Sequence, residues 1–512
     1  MLFPRRFLLV LIAIVALSFA IAPRGGLYTL LSVVLATVAV GGSIVATVRP
    51  QGQIAIDTGL ASRLPLYVLI LLAVQSAFLT FVYDQLNDRF SSFPRTIAIL
   101  DPVPAVFFVA LLGMIVGLWY RPHSPRSASE TLAVSAAMLL AGYALLVAVY
   151  LFGPQAANRT ILLTASAGLG FAVAVSWLFA GNDWWRIILA FIAGLGLRVG
   201  GIIPSPDPVI DVFTLLDQGP EKILKGVNPY DSDFVSPYAS ERARQHNIEL
   251  PAELRPAGYP AQPYWMALPL KALGIDVRYA NVIADLLAAM AIVAMAWRWN
   301  AIRPGGIAAT IYLTLPRVPF VIEQAWYEPM IACCLGWGLV MIVRERRLGF
   351  LILGAGLTAK QFGVPMLVPL AINLRRRGAW LTWGLFAGAA LSLPFILWNP
   401  TAFYETVLAR HFGHPPRTDA ITIWALAYHQ FGVVLAGGPL MLIGLSLIAG
   451  CSWSSRNERP ELLAATVGTV LITFCLFHTK GFFNYYYLGQ YLLLLSLPAL
   501  FSTESADHRT PG

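Results

Sequence analysis

The sequence predicts an all-α polytopic membrane protein, from its composition, its apolar runs and one long polar loop. Hydrophobic residues make up 58% of the 512 residues and charged residues only 12%, a balance typical of proteins that cross a membrane many times. The apolar residues form runs of about 20, the length that a helix needs to cross a hydrocarbon core about 30 Å thick. The polar loop, residues 204–258, separates two of these runs and is predicted to carry surface helices.

The first part of the chain, residues 1–185, is predicted to be an additional transmembrane block of about six helices. Its apolar runs lie near residues 7–23, 27–49, 64–83, 102–120, 131–152 and 160–181. The first run follows two arginines and resembles a secretory signal. Its length and the adjacent second run favour an uncleaved helix, with cleavage as the alternative. With a cytoplasmic amino terminus, the more basic loops are cytoplasmic and the 204–258 loop lies outside.

The formal net charge of +9 does not indicate a nucleic-acid partner in a chain of this composition. Most Lys and Arg residues lie in short loops, where they orient the helices among the membrane lipids. We therefore expect an integral plasma-membrane protein. No Walker sequence or dinucleotide fingerprint is present, so a water-soluble nucleotide donor on the cytoplasmic side is not predicted.

The 204–258 loop is the strongest candidate for a functional segment. It has roughly 55 residues, whereas most connections have about 4 to 6, and such long loops are usually functional or disordered. Apolar residues recur at near-helical spacing from Ile210 to Leu224, which predicts a short amphipathic helix along the membrane surface. The proline-interrupted stretch 259–274 predicts a second surface or re-entrant helix.

The remaining spans begin near residue 186 and end near 502, followed by a polar tail, residues 503–512, that is predicted to be disordered. Predicted spans lie near 186–203, 279–297, 304–320, 326–343, 379–398, 430–450, 460–478 and 483–502. Residues 348–374 are flanked by arginine clusters at both ends, so both ends are expected to be cytoplasmic. The segment is too short for two full spans, which predicts two half-length helices with Lys360 and Gln361 near the turn. A lysine at depth costs on the order of 3 kcal/mol unless it is paired or hydrated, so Lys360 is a functional candidate.

Under this topology, a set of acidic and basic residues converges on the outer side of the membrane. The set comprises Asp207, Asp211, Glu323, Glu328, Lys360, Arg410, His411, His478 and Lys480. Carboxylates at the water edge, with cations reaching toward a head group, suit a lipid-linked phosphate donor that enters from the bilayer.

Several short motifs in residues 186–502 resemble those of the GT-C superfamily of polyprenyl-phosphate-sugar-dependent glycosyltransferases, most closely the mannosyltransferases of glycosyltransferase family 87. The resemblance implies a GT-C-like helical bundle as the catalytic module. One departure is that about six helices precede the helix leading into the acidic loop, whereas that loop usually follows the first helix in the superfamily. The motifs are Asp211-Val-Phe, Leu224-Lys-Gly-Val-Asn-Pro-Tyr230, Tyr259-Pro with Pro269-Leu, Arg278, Glu323-Gln-Ala-Trp-Tyr-Glu328-Pro, Lys360-Gln-Phe-Gly-Val-Pro365 with Pro369, and Asn484-Tyr-Tyr-Tyr487.

The resemblance implies an inverting sugar transfer to a lipid or glycan acceptor on the outer leaflet. A carboxylate of the outer loop acts as the general base; Asp211 is the first candidate and Asp207 the second, and the other acid caps the surface helix or serves a turn. Cations that would bind the donor phosphate are Lys360, Arg410, His411, His478, Lys480 and Arg198. Side chains that would bind the sugar or the acceptor are Glu328, Tyr327, Glu323, Asn228, Tyr230 and Gln361.

Alternatives remain open for several of these residues. Lys360 could belong to a buried structural pair, Arg198 could pair with Asp211 or extend to the interface, and Glu328 could cap a helix. No cofactor is predicted to be required, because the sequence has no compact carboxylate cage; Mg²⁺ or Mn²⁺ bridging Asp207 or Asp211 to phosphate is the alternative.

At the level of function, a membrane transporter or flippase is the main alternative, since broken helices and a buried lysine also mark substrate paths. No internal repeat supports that reading. A lipid-modifying transferase of another type is a weaker alternative, because neither a metal-rich soluble domain nor a nucleophile motif is present.

Overall fold

The computed structural model describes residues 161–177, 181–237, 253–254, 258–315, 318–409, 433–456 and 463–500, with isolated positions between 417 and 428. Helix accounts for 76% of these residues, so the prediction of a mostly helical protein is confirmed. The predictions for residues 1–160 and for the tail, 503–512, lie outside the described residues, as do Arg410 and His411.

The first half of the described chain combines two long helices with several short ones. Its elements are α1 (Ile161–Ser176), α2 (Asp183–Ile202), α3 (Asp211–Leu224), β1 (Phe234–Val235), β2 (Glu253–Leu254), α4 (Gln262–Ala272), α5 (Arg278–Arg298), α6 (Ile302–Leu313), α7 (Val318–Glu323) and α8 (Glu328–Val343).

The second half consists of helices, most of them short. They are α9 (Leu348–Leu357), α10 (Gly363–Asn373), a 3₁₀ turn (Arg375–Arg377), α11 (Gly378–Ala390), α12 (Leu393–Trp398), α13 (Pro400–Tyr404), a π-helical turn (Glu405–Ala409), α14 (Gly437–Ser454), α15 (Leu463–Phe477) and α16 (Phe483–Leu500).

Two of the described helices, α2 and α5, are long and apolar enough to cross a membrane. The start of α2 is capped by Asn182, whose side chain accepts hydrogen bonds from the N–H groups of Trp184 and Trp185. Helices α8, α9, α10, α14 and α15 are apolar but shorter than a full span.

Helix α3 confirms the amphipathic helix predicted in the long loop. Prolines at 204, 206 and 208 keep the chain out of helix before Ile210, because proline disfavours helical geometry in the residue before it. The apolar side chains of Val212, Leu215 and Leu216 are buried. The helix ends near Gly226, whose φ of 70° is readily adopted by glycine. Further along the loop, β1 and β2 form a two-stranded antiparallel pair that the sequence analysis did not predict.

Helices α9 and α10 confirm the predicted pair of half-length helices, with Lys360 and Gln361 in the turn between them. Two predicted continuous spans differ from the structure. The 304–320 span is divided into α6 and α7, and the 379–398 span is divided into α11 and α12. Pro319 and Pro394 lie in the first turns of α7 and α12, where the missing N–H of proline costs no helical hydrogen bond.

Helices α5, α8 and α16 form the centre of the fold and run parallel. The hydroxyl of Tyr487 donates to Asp285 at 2.5 Å, and that of Tyr491 donates to the carbonyl of Ala288 at 3.1 Å. Residue numbers thus rise together along α16 and α5. The Trp337 side chain likewise bonds to the Leu287 carbonyl and Arg344 to the Ala294 carbonyl, which sets the same direction for α8. The amino-terminal ends of α5, α8 and α16 therefore lie at the same end of the bundle.

Candidate functional site

A buried ion pair lies at this amino-terminal end of the bundle. The Nζ of Lys360, in the α9–α10 turn, is 2.7 Å from Oε1 of Glu328, the first residue of α8. The Lys360 side chain is 6% exposed and that of Glu328 is fully buried. Asn484, in the first turn of α16, donates its Nδ2 to the same Oε1 at 2.8 Å. Each buried charge thus has an opposite charge as its partner, which offsets the cost of burial.

Aromatic rings surround the ammonium group of Lys360. Its Nζ lies 4.8 Å from the ring centroid of Tyr485, 5.2 Å from those of Tyr259 and Phe362, and 5.7 Å from that of Tyr327. These distances are within the range of cation–π attraction. We call the four rings of Tyr259, Tyr327, Phe362 and Tyr485 the aromatic enclosure.

Asp211 lies close enough to the aromatic enclosure for its charge to act on three of the rings, those of Tyr259, Tyr327 and Tyr485. Burial raises the pKa of Tyr259 well above its usual 10.0, and the charge of Asp211 raises it further. Asp211 is half-buried at the start of α3, and its Oδ1 accepts the N–H of Val212 at 2.8 Å. Asp211 thus lies within electrostatic range of rings that also surround the Lys360–Glu328 pair, although these residues lie far apart in sequence.

The first turns of the long loop are held to the bundle by polar contacts. Ser205 donates its hydroxyl to Glu323 Oε1 at 2.5 Å. Arg278 donates to the Ser205 carbonyl at 2.6 Å, pairs with Asp276 and lies 4.9 Å from the ring centroid of Phe213. Glu323 therefore helps to fix the loop that carries Asp211.

Asp207, the second base candidate, is exposed in the described structure. It precedes Asp211 in the chain and lies in the proline-rich stretch before α3. Its carboxylate is therefore in contact with solvent. The half-buried Asp211 is the better candidate for the acid near the aromatic enclosure.

The returning end of the loop is held by three residues that were predicted to bind a sugar or an acceptor. The Tyr230 hydroxyl donates to the Tyr259 carbonyl at 2.8 Å, and the ring is fully buried. Asn228 accepts the Tyr230 N–H at 3.0 Å, which closes a local turn. Gln361 donates to the carbonyls of Gly258 and Val407, both at 2.9 Å. These contacts anchor the loop to the rest of the fold, and the binding of a sugar or an acceptor by the three side chains stays a prediction.

Arg198 also has a different place from the one predicted. It is fully buried, and its Nε donates to Asp285 Oδ2 at 2.7 Å. Its Nη1 donates to the carbonyls of Gly194 and Leu313 at 2.7 and 2.9 Å. The prediction that Arg198 pairs with Asp211 or extends to the interface is wrong, because its guanidinium is committed to this buried network.

The turn between α15 and α16 carries His478 and Lys480, two predicted phosphate ligands. His478 is half-buried, and its Nδ1 accepts the backbone N–H of Lys480 at 3.0 Å. Burial lowers the pKa of His478 from its usual 6.5, so the imidazole is neutral at pH 7. A neutral ring can donate one hydrogen bond to an anion but adds no positive charge.

Sequence reasoning missed several residues of the site. Asn484, Tyr485, Tyr259 and Phe362 belong to the motifs that carry the family resemblance, yet none had been given a role. Arg417 is a further cation near this turn: its N–H donates to the Thr479 carbonyl at 3.2 Å, and its guanidinium lies 5.3 Å from the ring centroid of Phe482. The cluster of motif tyrosines was the signal that could have indicated the aromatic enclosure.

Three buried polar atoms at the site have no hydrogen-bond partner among the described residues. They are Oε2 of Glu328, Oδ1 of Asn484 and the hydroxyl of Tyr327. Buried polar atoms are usually hydrogen-bonded, so unpartnered atoms at one site indicate a place for a ligand or water. The described residues contain no group of three or more His, Cys, Asp or Glu side chains placed to hold a metal ion.

The described contacts define a mostly helical protein with a buried lysine–glutamate pair, an aromatic enclosure and a nearby half-buried aspartate. Comparison with protein-family models, with curated proteins and with solved structures found no match to the chain. The residues of the site and their geometry are therefore the basis for a functional proposal.

Proposed function

We propose that the chain is an integral, multi-pass membrane glycosyltransferase of the GT-C type. It transfers a sugar, with inversion, from a polyprenyl-phosphate donor to a lipid or glycan acceptor on the extracytoplasmic side. The observation that carries this proposal is the buried Lys360–Glu328 pair inside the aromatic enclosure, with Asp211 on the loop that the Ser205–Glu323 and Arg278–Phe213 contacts hold to the bundle. A carboxylate near a buried cation suits a reaction in which a proton is removed and a phosphate departs.

Asp211 is assigned as the general base. It accepts the proton of the acceptor hydroxyl as the oxygen forms a bond to the sugar carbon, while the bond from that carbon to the lipid phosphate breaks. The electron pair of the broken bond leaves on the phosphate, and attack from the opposite face inverts the carbon. A positioned general base contributes about 10²- to 10⁴-fold to such a rate.

The departing phosphate needs positive potential, and the fold supplies it in two ways. Helices α5, α8 and α16 begin at the same end of the bundle, and α10 begins there too because Lys360 in the preceding turn pairs with Glu328. Helix amino termini carry partial positive charge and commonly bind phosphate groups. The ammonium of Lys360, paired with Glu328, lies at the same end and is the second source of positive potential.

The apolar helices favour a donor that arrives from the bilayer. Helices α2 and α5 have the length and composition of a membrane span. Helices α9 and α10 are too short to span singly, and they place Lys360 in a turn between apolar segments. Irregular backbone at membrane depth occurs where protein or a wet cavity surrounds it, which suits a head-group site.

Sugar transfer from a short-chain donor tests the assignment of Asp211. Membranes containing the protein are given farnesyl-phosphate mannose or glucose, and the released farnesyl phosphate and the glycosylated product are measured. Asp211→Asn is expected to lower the transfer rate by about 10²- to 10⁴-fold. Asp217→Asn is the matched control, because Asp217 lies on the same helix and binds Lys271 at 2.8 Å, away from the enclosure.

Each competing assignment predicts a different result in the same experiment. Undiminished transfer by Asp211→Asn would reject this base, and loss confined to Asp207→Asn would transfer the role to Asp207. Uptake of the labelled lipid into vesicles without any glycosylated product would favour the transporter or flippase reading instead.

A further inference from the structure

The Glu328–Asn484 pair presents two hydrogen-bond acceptors that the protein itself does not use. Oε1 of Glu328 accepts from both Lys360 and Asn484, at 2.7 and 2.8 Å. Oε2 of Glu328 and Oδ1 of Asn484 have no partner among the described residues. Glu328 is fully buried and Asn484 is 4% exposed, so bulk water has little access to these oxygens. A buried acceptor without a donor is unfavourable, and a ligand that supplies donors would relieve both.

The orientation of the Asn484 amide follows from its neighbour. The carboxylate of Glu328 accepts hydrogen bonds only, so the amide must face it with its NH₂ group. A reversed amide would bring two oxygens together without a hydrogen between them. The oxygen of Asn484 is therefore the free end, and the two groups, joined by their own hydrogen bond, can contact one small ligand.

The surroundings of this acceptor pair suit a sugar ring. The free hydroxyl of Tyr327, the residue before Glu328, can donate or accept a hydrogen bond. The ring of Tyr327 lies edge-on to Tyr259 at 4.9 Å, and both rings belong to the aromatic enclosure. Aromatic faces pack against the C–H face of a sugar ring, while the acceptor pair takes hydrogens from its hydroxyl groups.

We propose that Glu328 and Asn484 bind hydroxyl groups of the transferred sugar and that the site is selective for a neutral, hydroxyl-bearing sugar. This inference rests on the proposed glycosyltransferase function and adds Asn484 as a sugar-binding residue. Both free atoms are acceptors, so the ligand must supply the hydrogens. A uronic acid keeps its ring hydroxyls but has a carboxylate in place of the C6 hydroxyl, so it supplies one hydrogen-bond donor fewer than the hexose.

Lipid binding in detergent, without turnover, tests this inference. The probes are farnesyl phosphate, farnesyl-phosphate mannose, farnesyl-phosphate glucose and farnesyl-phosphate glucuronic acid. The native protein is expected to bind at least one hexose-bearing lipid about tenfold more tightly than farnesyl phosphate, and to bind the glucuronic acid lipid less tightly than that hexose-bearing lipid.

Asn484→Leu replaces the amide with an apolar side chain of similar shape. It is expected to lose about tenfold in affinity for the hexose-bearing lipid while its affinity for farnesyl phosphate stays the same. Gln490→Met is the matched control, because Gln490 lies on the same helix and is fully buried, with its amide unpartnered among the described residues. It is expected to retain the native preference.

The outcomes separate this inference from the function on which it rests. If none of the lipids binds, the proposed function fails and the inference fails with it. Equal binding of farnesyl phosphate and both hexose-bearing lipids by the native protein would overturn the inference and leave the proposed function standing. The inference would also be overturned if the native protein bound the glucuronic acid lipid more tightly than the hexose-bearing lipids. An equal loss of affinity for all the lipids in Asn484→Leu would overturn it too.

Discussion

The buried network around Asp285 predicts a large loss of stability when that carboxylate is removed. Asp285 Oδ2 accepts from Arg198 Nε at 2.7 Å, and Oδ1 accepts from the hydroxyls of Tyr312 and Tyr487. Arg198 and Asp285 are both fully buried. Asp285→Leu leaves the guanidinium of Arg198 without its counter-charge, and breaking a buried pair in this way costs about 3–5 kcal/mol. Tyr487→Phe removes one hydroxyl and should cost only about 1 kcal/mol.

Thermal unfolding of the purified protein in detergent measures this loss. At roughly 2 °C per kcal/mol, Asp285→Leu is expected to lower Tm by roughly 6–10 °C. The double variant Arg198→Met with Asp285→Leu is expected to recover most of that loss, because two apolar side chains can replace a buried pair at little cost. A native Tm in Asp285→Leu, or a double variant no more stable than the single one, would refute this account of the network.

Two further predictions concern the site. Lys360→Met leaves Glu328 buried without its cation and is expected to lower the free energy of unfolding by about 3–5 kcal/mol. Adding Glu328→Gln should restore Tm but not the binding of farnesyl phosphate. Recovery of that binding in the double variant would contradict a role for the lysine charge. Because the pKa of His478 is lowered from 6.5 by burial, the unfolded chain takes up a proton first as pH falls, so stability decreases below about pH 6.5. His478→Gln should flatten Tm against pH between about 5 and 7.5, and an unchanged slope would exclude this histidine as the cause.

Local sequence signals were enough to predict several helices. The arginine clusters that flank residues 348–374 predicted the paired short helices α9 and α10, because charge position and segment length together determine where the chain can turn. The apolar spacing from Ile210 to Leu224 predicted α3 for a similar reason. Both signals lie within the segment that they describe. The two-residue strands β1 and β2 carry no such signal, since two residues are too few to show the alternation of apolar and polar side chains that identifies a strand.

The pairing of buried charges could not be predicted, because each partner lies far away in the chain. Lys360 is 32 residues from Glu328, and Glu328 is 156 residues from Asn484. Arg198 and Asp285 are 87 residues apart, and Asp285 is a single acid inside an apolar run. Sequence reasoning could name Lys360 as costly to bury and Glu328 as a candidate binding residue, but only the packing of helices shows which charge compensates which. For the same reason neither alternative for Arg198, a pair with Asp211 or extension to the interface, identified Asp285 as its partner.

The first turns of α16 connect the two buried networks. Asn484 bonds to Glu328, and Tyr487, three residues later, bonds to Asp285. Residues three apart on a helix lie on nearly the same face. A rotation of α16 that improved one contact would therefore disturb the other. The Arg198–Asp285 network thus fixes the rotation of α16 from within the bundle, and that rotation positions Asn484 beside Glu328.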